Sequence, residues 1–518
     1  MKAADKVLLN TGILYGRMLL TMGISFYTTR LILNALGSTD FGIFNLIAGI
    51  ITMLSFLNTA MSSSTQRFLS FYQGKNDIAK QKDVFTNSML LHILIGIIIV
   101  LGLEFSGLFL FNGILNIPID RIESAKAIYH FMSFTVFFTI ASVPFVGSLI
   151  AHENMIWVAI VSIVETILKL AIAICLLVVA KDKLIIYGLL TAIISIFTFL
   201  MYMFYCLKKY QECTFKKIFN IDNHLFKELT SFAGWNLFGS LCGITKYQGF
   251  AVLLNIFHGA TINASYGIAN QISSQLTFFS STMLRAVNPQ IMKSEGSGDR
   301  ARMLRLSMMA SKFGFFLLAI VAIPCIFEMD SILIFWLKKV PVYTKTFCIL
   351  ILVASLINQL TIGLQSAFQA TGMVKVYQIV VGTIVISNLP ISYLLLRLGL
   401  PLYYPLISFV LVEVFASVFR VFLLKKSVGL SISDFFNRVF IKSVNPLIII
   451  CATCYLITAL IQNEFRFLIT FSVSMTTFVI SIYFMGLCKD ETLLVKQTAM
   501  KLKAKFEEIR TPQTLNVQ

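Results

Sequence analysis

Apolar residues run along this chain in long, nearly unbroken stretches, not in the short periodic groups of a soluble protein. The stretches fall at roughly 8–36, 42–65, 86–110, 127–150, 155–179, 184–206, 230–254, 264–286, 312–335, 347–370, 375–396, 401–423, 444–461 and 466–487. Each is close to the ~20 residues an α-helix needs to cross the hydrocarbon of a bilayer. The pattern predicts an all-α polytopic membrane protein of about fourteen transmembrane helices, whose backbone groups are satisfied within each helix. The least apolar stretch, 264–286, carries many Ser, Asn, Gln and Thr residues. The first run, from Val7 to Leu36, exceeds the ~7–15 residues of a cleaved signal core and reads as a retained span. The longest inner joins, near 67–85, 207–229 and 287–311, are expected to be loops of about 20 residues, with no soluble domain.

Composition narrows the class. Of 518 residues, 57% are hydrophobic and 13% charged, against about 25% charged in an ordinary soluble domain. This excludes a cytosolic enzyme, a secreted disulfide scaffold and a disordered regulator. The net charge is +18, from 42 Lys and Arg against 24 Asp and Glu. With the N-terminus inside, about 29 basic residues fall on the inner joins and tails and about 9 on the outer joins. Arg17, Arg30, Lys169 and Lys246 are counted within spans. This bias explains the net charge without nucleic acid and places both termini, with the basic segment Lys489–Arg510, in the cytoplasm. Cys451 and Cys454 form a CxxC inside an apolar run with no second pair, so they read as packing residues, and no metal or cofactor is expected.

Two segments of the chain are alike. Leu33-Asn34, Gly37 and Phe41-Gly42-Ile43-Phe44-Asn45 match Leu254-Asn255, Gly259 and Tyr266-Gly267-Ile268-Ala269-Asn270. The first joins spans 1 and 2, the second spans 7 and 8, an offset of about 221–225 residues or six spans. Parallel six-helix repeats are a transporter signature, with the substrate site between the halves. The expected division is a six-helix bundle in 1–210, a second in 211–425, and two further helices with a basic tail in 426–518.

Polar positions form stripes. Span 2 carries Asn45, Thr52, Ser55, Thr59, Ser62 and Gln66, and span 8 carries Asn270, Ser274, Thr277, Ser281, Arg285 and Asn288. Spacings of three, four and seven keep each set on one helix face. Span 10 adds Asn358, Thr361, Gln365 and Gln369, and span 1 adds Asn10, Arg17, Thr21 and Thr28. Single Ser and Thr residues serve as helix–helix glue. Stripes along repeat-related helices point to a water-filled cavity, whose Asn, Gln and Ser, including Asn270, Gln271 and Gln365, suit sugar hydroxyls.

An intramembrane Arg costs about 2.5–3.5 kcal/mol on insertion scales, so such residues are candidates for function. Arg17, about ten residues into span 1, either meets an anionic substrate or snorkels inward. Arg30 lies on another face, near the outer end. Lys246 has no acid at helical spacing, so it is expected to meet a residue elsewhere or the substrate. Arg67 and Arg285 end the two stripes, as anchors or as a basic inner mouth. Glu165 and Lys169 form an i,i+4 ion pair. Glu413 stands alone in span 12 and is the candidate for ion coupling. Cations outnumber acids among these residues, which favours an anionic head group such as a diphosphate over an organic cation. The sequence holds no Walker A, HExxH or GxSxG pattern. A polymerase or ligase would need a long outer loop, which the joins do not provide, so the chain is not expected to be an enzyme.

The opening third resembles bacterial polysaccharide flippases, the oligosaccharidyl-lipid branch of the multidrug/oligosaccharidyl-lipid/polysaccharide exporter superfamily. The resemblance rests on Asn10-Thr-Gly, Tyr15-Gly-Arg17-Met-Leu-Leu-Thr21, Tyr27-Thr-Thr-Arg30, Leu33-Asn34-Ala-Leu-Gly37, Asp40-Phe-Gly42-Ile-Phe-Asn45 and Thr65-Gln-Arg67-Phe-Leu. Asn288-Pro289-Gln290-Ile and Gly298-Asp299 resemble the end of span 8 in that family. The resemblance implies two bundles in a V with alternating access. It implies movement of an undecaprenyl-diphosphate-linked oligosaccharide from the cytoplasmic to the outer leaflet of the bacterial inner membrane, for O-antigen or capsule. It also implies membrane lipids as partners, a polysaccharide polymerase and ligase as candidate partners, action as a monomer, and a cationic cavity holding Arg17, Lys246 and Arg285. The alternative on the same fold is a cation-coupled drug or metabolite antiporter.

Overall fold

The computed structural model describes residues 3–52, 55–111, 115, 117–179, 182–215, 222–463, 465–493, 495–496 and 500. The chain is helical throughout this part, with no β-strand among the described residues. The first seven helices are α1 (Ala3–Thr52), α2 (Ser55–Gly74), α3 (Ile78–Phe109), α4 (Ile122–Ala141), α5 (Val143–Ala151), α6 (Met155–Val178) and α7 (Lys183–Lys209). There follow α8 (Asn223–Gly296), α9 (Arg300–Phe327), α10 (Met329–Leu337), α11 (Thr344–Gln359), α12 (Ile362–Thr371), α13 (Val374–Ile386), α14 (Asn388–Arg397) and α15 (Tyr403–Val428). The last are α16 (Ile432–Phe435), which runs through a π turn into α17 (Ile441–Leu460), and α18 (Arg466–Ser481).

The helices outrun their apolar cores. Gly74 to Ile78 and Gly296 to Arg300 are tight turns, so the loops expected near 67–85 and 287–311 are mostly helix. The apolar runs mark what hydrocarbon would cover, while helices continue beyond it as polar extensions. Side-chain caps start these extensions by satisfying free amide groups. Asp77 accepts from Lys80 N at 2.9 Å and Asp299 from Arg302 N at 3.0 Å. The tail beyond residue 500, including the basic stretch to Arg510, lies outside the described residues.

Among the described residues, eleven helices are long and apolar enough to cross a membrane, or twelve if α11 and α12, bent by 42°, form one span. The count of fourteen is therefore not reached by this measure. The segments 42–65 and 264–286 fall short; their polar stripes lower the hydropathy that would identify them, and residues 53–54 lie outside the described set.

Two groups of helices pack separately. In the first, α1 lies on α6 and α4, and α4 on α3 and α7. In the second, α8 packs on α9, α11 and α13, and α15 on α11, α13 and α14. Helices α17 and α18 pack on each other and on α9. Both α1 and α8 are broken by a glycine: Gly37 at φ 77, ψ 171 and Gly259 at φ 76, ψ −174. These are the glycines of the repeated segment, and they hold a conformation essentially restricted to glycine.

The bundles meet at the end that carries the basic joins. There α2 lies so close to α8 that a Cβ on Gly74 would stand 2.2 Å from Lys293 O, and one on Gly296 2.0 Å from Phe71 O. Ser64 Oγ donates to Leu229 O at 3.2 Å, and Lys80 Nζ to Asp222 at 2.9 Å. Tyr15 OH donates to Phe279 O at 2.6 Å deeper in the molecule. Beyond this contact a cleft opens between the bundles.

Candidate functional site

A polar cavity of about 370 Å³ lies inside the second bundle, between α8, α11, α13 and α15. On α15, Phe409, Glu413, Ser417 and Arg420 are spaced four, four and three apart and so share a face. Lys246 on α8, 1% exposed, places Nζ 3.7 Å from Glu413 Oε2 and 3.7 Å from the centre of the Phe409 ring. Asn358 Nδ2 donates to Glu413 Oε1 at 2.8 Å, while Glu413 Oε2 has no hydrogen-bond partner. Arg420, also buried, donates from Nε to Tyr377 OH and from Nη1 to Thr361 Oγ1, both at 3.1 Å. Gln365, Tyr377 and Gln378 complete the polar wall. Small residues at Gly239, Cys242 and Gly243 leave the space in front of Lys246.

Lys246 and Glu413 are therefore partners. The expected lone carboxyl and the lysine without an acid at helical spacing answer each other across two helices. Breaking such a buried pair strands a charge, which costs about 3–5 kcal/mol. Arg420, which lies in the apolar stretch 401–423 but is not among the charges singled out within spans, is part of this interior. Its spacing from Glu413 and Ser417 on one face was the available signal, hidden because it stands near the end of its apolar run.

A second, larger cavity of about 700 Å³ lies between the bundles. Arg17, Thr21, Ser25 and Thr29 of α1 line one wall, with Ser162 of α6, and Ser274, Gln275 and Phe278 of α8 line the other. Arg17 Nε is buried without a hydrogen-bond partner. Arg285 on α8 is exposed and close enough to Arg17 for their like charges to act on each other. Among the described residues, no Asp or Glu lines this cleft. The span 8 stripe thus divides: Ser274 faces the cleft, Thr277 faces the cavity of the second bundle, and Asn288 accepts from Ser366 Oγ at 2.7 Å.

The floor of the cleft is a charged knot at the joined end. Glu153, in the turn between α5 and α6, accepts from Gln290 Nε2 at 2.7 Å and from Lys293 Nζ, with Lys6 Nζ at 3.9 Å. Asn10 Nδ2 donates to the Glu153 carbonyl at 3.0 Å. Burial pushes the Glu153 carboxyl up, but Lys293, Gln290 and Lys6 more than offset this and hold it below the ordinary carboxylate value. The neighbouring His152 Nε2 lies 2.5 Å from Glu212 Oε1.

A family model described as "Polysaccharide biosynthesis protein" matches residues 7–295, more than half of the chain. The chain belongs to this family. No curated protein matches it. Among solved structures it is similar to a MATE transporter in the bent conformation, with TM-score 0.72 and 12% identity over 83% of this chain and 98% of that one. It is also similar to a multidrug resistance MATE family transporter of the MOP superfamily in an outward-facing conformation (TM-score 0.70, 12% identity, 83% and 98% covered). A third is a MOP superfamily transporter from Pyrococcus furiosus, described as having a binding pocket of reverse polarity that suggests a different function (TM-score 0.68, 13% identity, 84% and 99% covered). At such identities the likeness establishes the fold, which is that of MOP superfamily transporters. This polysaccharide biosynthesis family member is accordingly a multi-pass membrane protein with a transporter fold.

The remaining candidates of the family member are scattered. Arg30 is exposed on α1 and lines neither cavity. Arg67 donates from Nε to Gln369 O and from Nη2 to Ala370 O, both at 3.1 Å, and so caps the end of α12 from the other bundle. Asn270 lies near the Tyr266 hydroxyl, which donates to Tyr247 O at 3.1 Å, and Gln271 is exposed outside both cavities. Glu165 and Lys169 form the expected pair at 2.6 Å. In span 2, Gln66 is buried with Nε2 unpartnered, while the side chains of Thr52, Ser55 and Thr59 lie outside the described residues.

Proposed function

We propose that the protein carries a lipid-linked oligosaccharide, built on undecaprenyl diphosphate, from the cytoplasmic to the outer leaflet of the bacterial inner membrane, supplying O-antigen or capsule synthesis. The observation that carries this reading is the cleft between the bundles, with Arg17 Nε buried and unpartnered, Arg285 nearby, and no acid among the described residues of its lining. Arginine suits phosphate oxygens, since its fork makes paired hydrogen bonds to them. The Ser, Thr and Gln residues around it suit sugar hydroxyls, and the lipid tail stays in the bilayer beside the opening between the halves.

The two bundles, 1–210 and 211–425, rock about the cleft, with 426–518 riding on the second. With the basic joins in the cytoplasm, both termini lie there and the joined end is the inner gate, so this conformation faces outward. Glu153 with Lys293, Gln290 and Lys6 holds that gate, and returning inward breaks it. Lys246, Glu413 and Arg420 form a second polar centre, where a change in the Lys246–Glu413 pair couples an ion to the rocking.

The test is binding by the purified protein. Undecaprenyl diphosphate is expected to bind at least tenfold tighter than undecaprenyl phosphate, and Arg17→Ala with Arg285→Ala is expected to abolish that preference. Equal binding of the two lipids, or an unchanged preference in the double variant, contradicts the assignment of the diphosphate to this cleft.

A further inference from the structure

A third cavity, of about 610 Å³, lies away from the cleft at the joined end, where the start of α8 meets the turn between α12 and α13. Its wall holds Arg67, Lys227, Glu228, Trp235, Gly372 and Lys375. We propose that this pocket binds the phosphate headgroup of an anionic membrane lipid, whatever the cleft carries.

Charge comes first. Arg67, Lys227 and Lys375 face the pocket against one lining carboxylate, and Glu228 has His224 Nδ1 3.8 Å away. Arg67 is held rigidly: two nitrogens cap α12, and its guanidinium lies 4.4 Å from the Phe68 ring centre and 5.5 Å from that of Phe232. Its fixed charge is 7% exposed and edges the pocket. Lys227 and Lys375 are exposed and free to close on a ligand. Lys375 Nζ lies 5.4 Å from the Trp235 ring centre, so an aromatic plane sits beside the cations, as at a membrane–water interface.

The surroundings identify a lipid as the source of the phosphate. Phe238 follows Trp235 on α8, 6.0 Å between ring centres. Phe238 and Leu241 of α8 and Val376 and Ile379 of α13 are exposed apolar residues running from the pocket along the two helices. Behind them Gln378 packs on Gly239. A headgroup in the pocket thus has an apolar surface for its acyl chains. Such a lipid bridges Arg67 of the first bundle to Lys227 and Lys375 of the second, and favours the joined state of this end.

Trp235 provides the probe, because the chain has three tryptophans. A Trp157→Phe, Trp336→Phe protein is placed in phosphatidylcholine bilayers with brominated phosphatidylglycerol or brominated phosphatidylcholine, and Trp235 quenching is read. Half-maximal quenching is expected at an about fivefold lower fraction of the anionic lipid. Lys227→Ala, which leaves the Trp235 contact intact, and Lys375→Ala are each expected to reduce that preference below about twofold. Equal quenching by the two lipids overturns the proposal, as does a preference unchanged in both variants. Reversal of the quenching by millimolar inorganic phosphate also overturns it, by making the pocket a site for free anions.

Discussion

Gly37 and Gly259 adopt the same backbone conformation, φ 77, ψ 171 and φ 76, ψ −174, at equivalent places in the two bundles. Each breaks a long helix between two spans, and a Cβ at either would meet no atom within 4 Å. Space is thus not the reason for glycine there; the dihedral angles are. Gly37→Ala and Gly259→Ala should each cost about 1–3 kcal/mol, with similar falls in thermal unfolding temperature in detergent. No fall in either would show that the break does not need glycine.

Lys246 and Glu413 should behave as a unit. Lys246→Met or Glu413→Gln alone strands a buried partner and should destabilise the second bundle by about 3–5 kcal/mol. The double variant should recover most of that loss. Additive losses in thermal unfolding of the three variants would mean the two side chains do not interact.

Helix Lys183–Lys209 and the others with uniform apolar runs were legible because hydrocarbon demands length and continuity. Gly37 and Gly259 were legible as a repeated pattern. The span containing Asn270–Arg285 was harder, since the polarity that marks a cavity also lowers the signal of a membrane helix. The Lys246–Glu413 pair was not legible: each residue stands out alone, but their meeting depends on how α8 packs near α15. The role of Arg67 was hidden for a similar reason, because its partners are backbone carbonyls of Gln369 and Ala370, which carry no sequence signature.

Gly74 and Gly296 close the joined end through backbone contact. Gly74→Ala or Gly296→Ala puts a methyl about 2 Å from a carbonyl oxygen and should push α2 and α8 apart. Spin labels at Lys82→Cys and Ala301→Cys, one on each bundle, should then report a longer distance and a second population. An unchanged distance distribution in both variants would mean the helices accommodate the methyl without opening.

The knot at Glu153 should respond to acid. Its carboxyl is held below the ordinary value, so its contribution to the joined end is fully present above about pH 4.5. It should be lost as pH falls through the lowered value, when the carboxyl takes up a proton and releases Lys293. At pH 7, Glu153→Gln should lengthen the same label distance. Once the pH has fallen below the lowered value, so that the carboxyl is protonated in both states, the variant and the unaltered protein should converge. A gap between them that persists at low pH would assign the effect to something other than the carboxylate charge.

The most direct test of lipid-linked sugar transport is deletion of the gene, followed by mass spectrometry of surface glycans and lipid-linked intermediates. A flippase predicts loss of one surface polysaccharide while its undecaprenyl-diphosphate-linked unit accumulates. The unaltered gene should reverse this, and one carrying Arg17→Ala and Arg285→Ala should not. Unchanged glycans and intermediates, with altered sensitivity to toxic compounds, would contradict it and point to an antiporter.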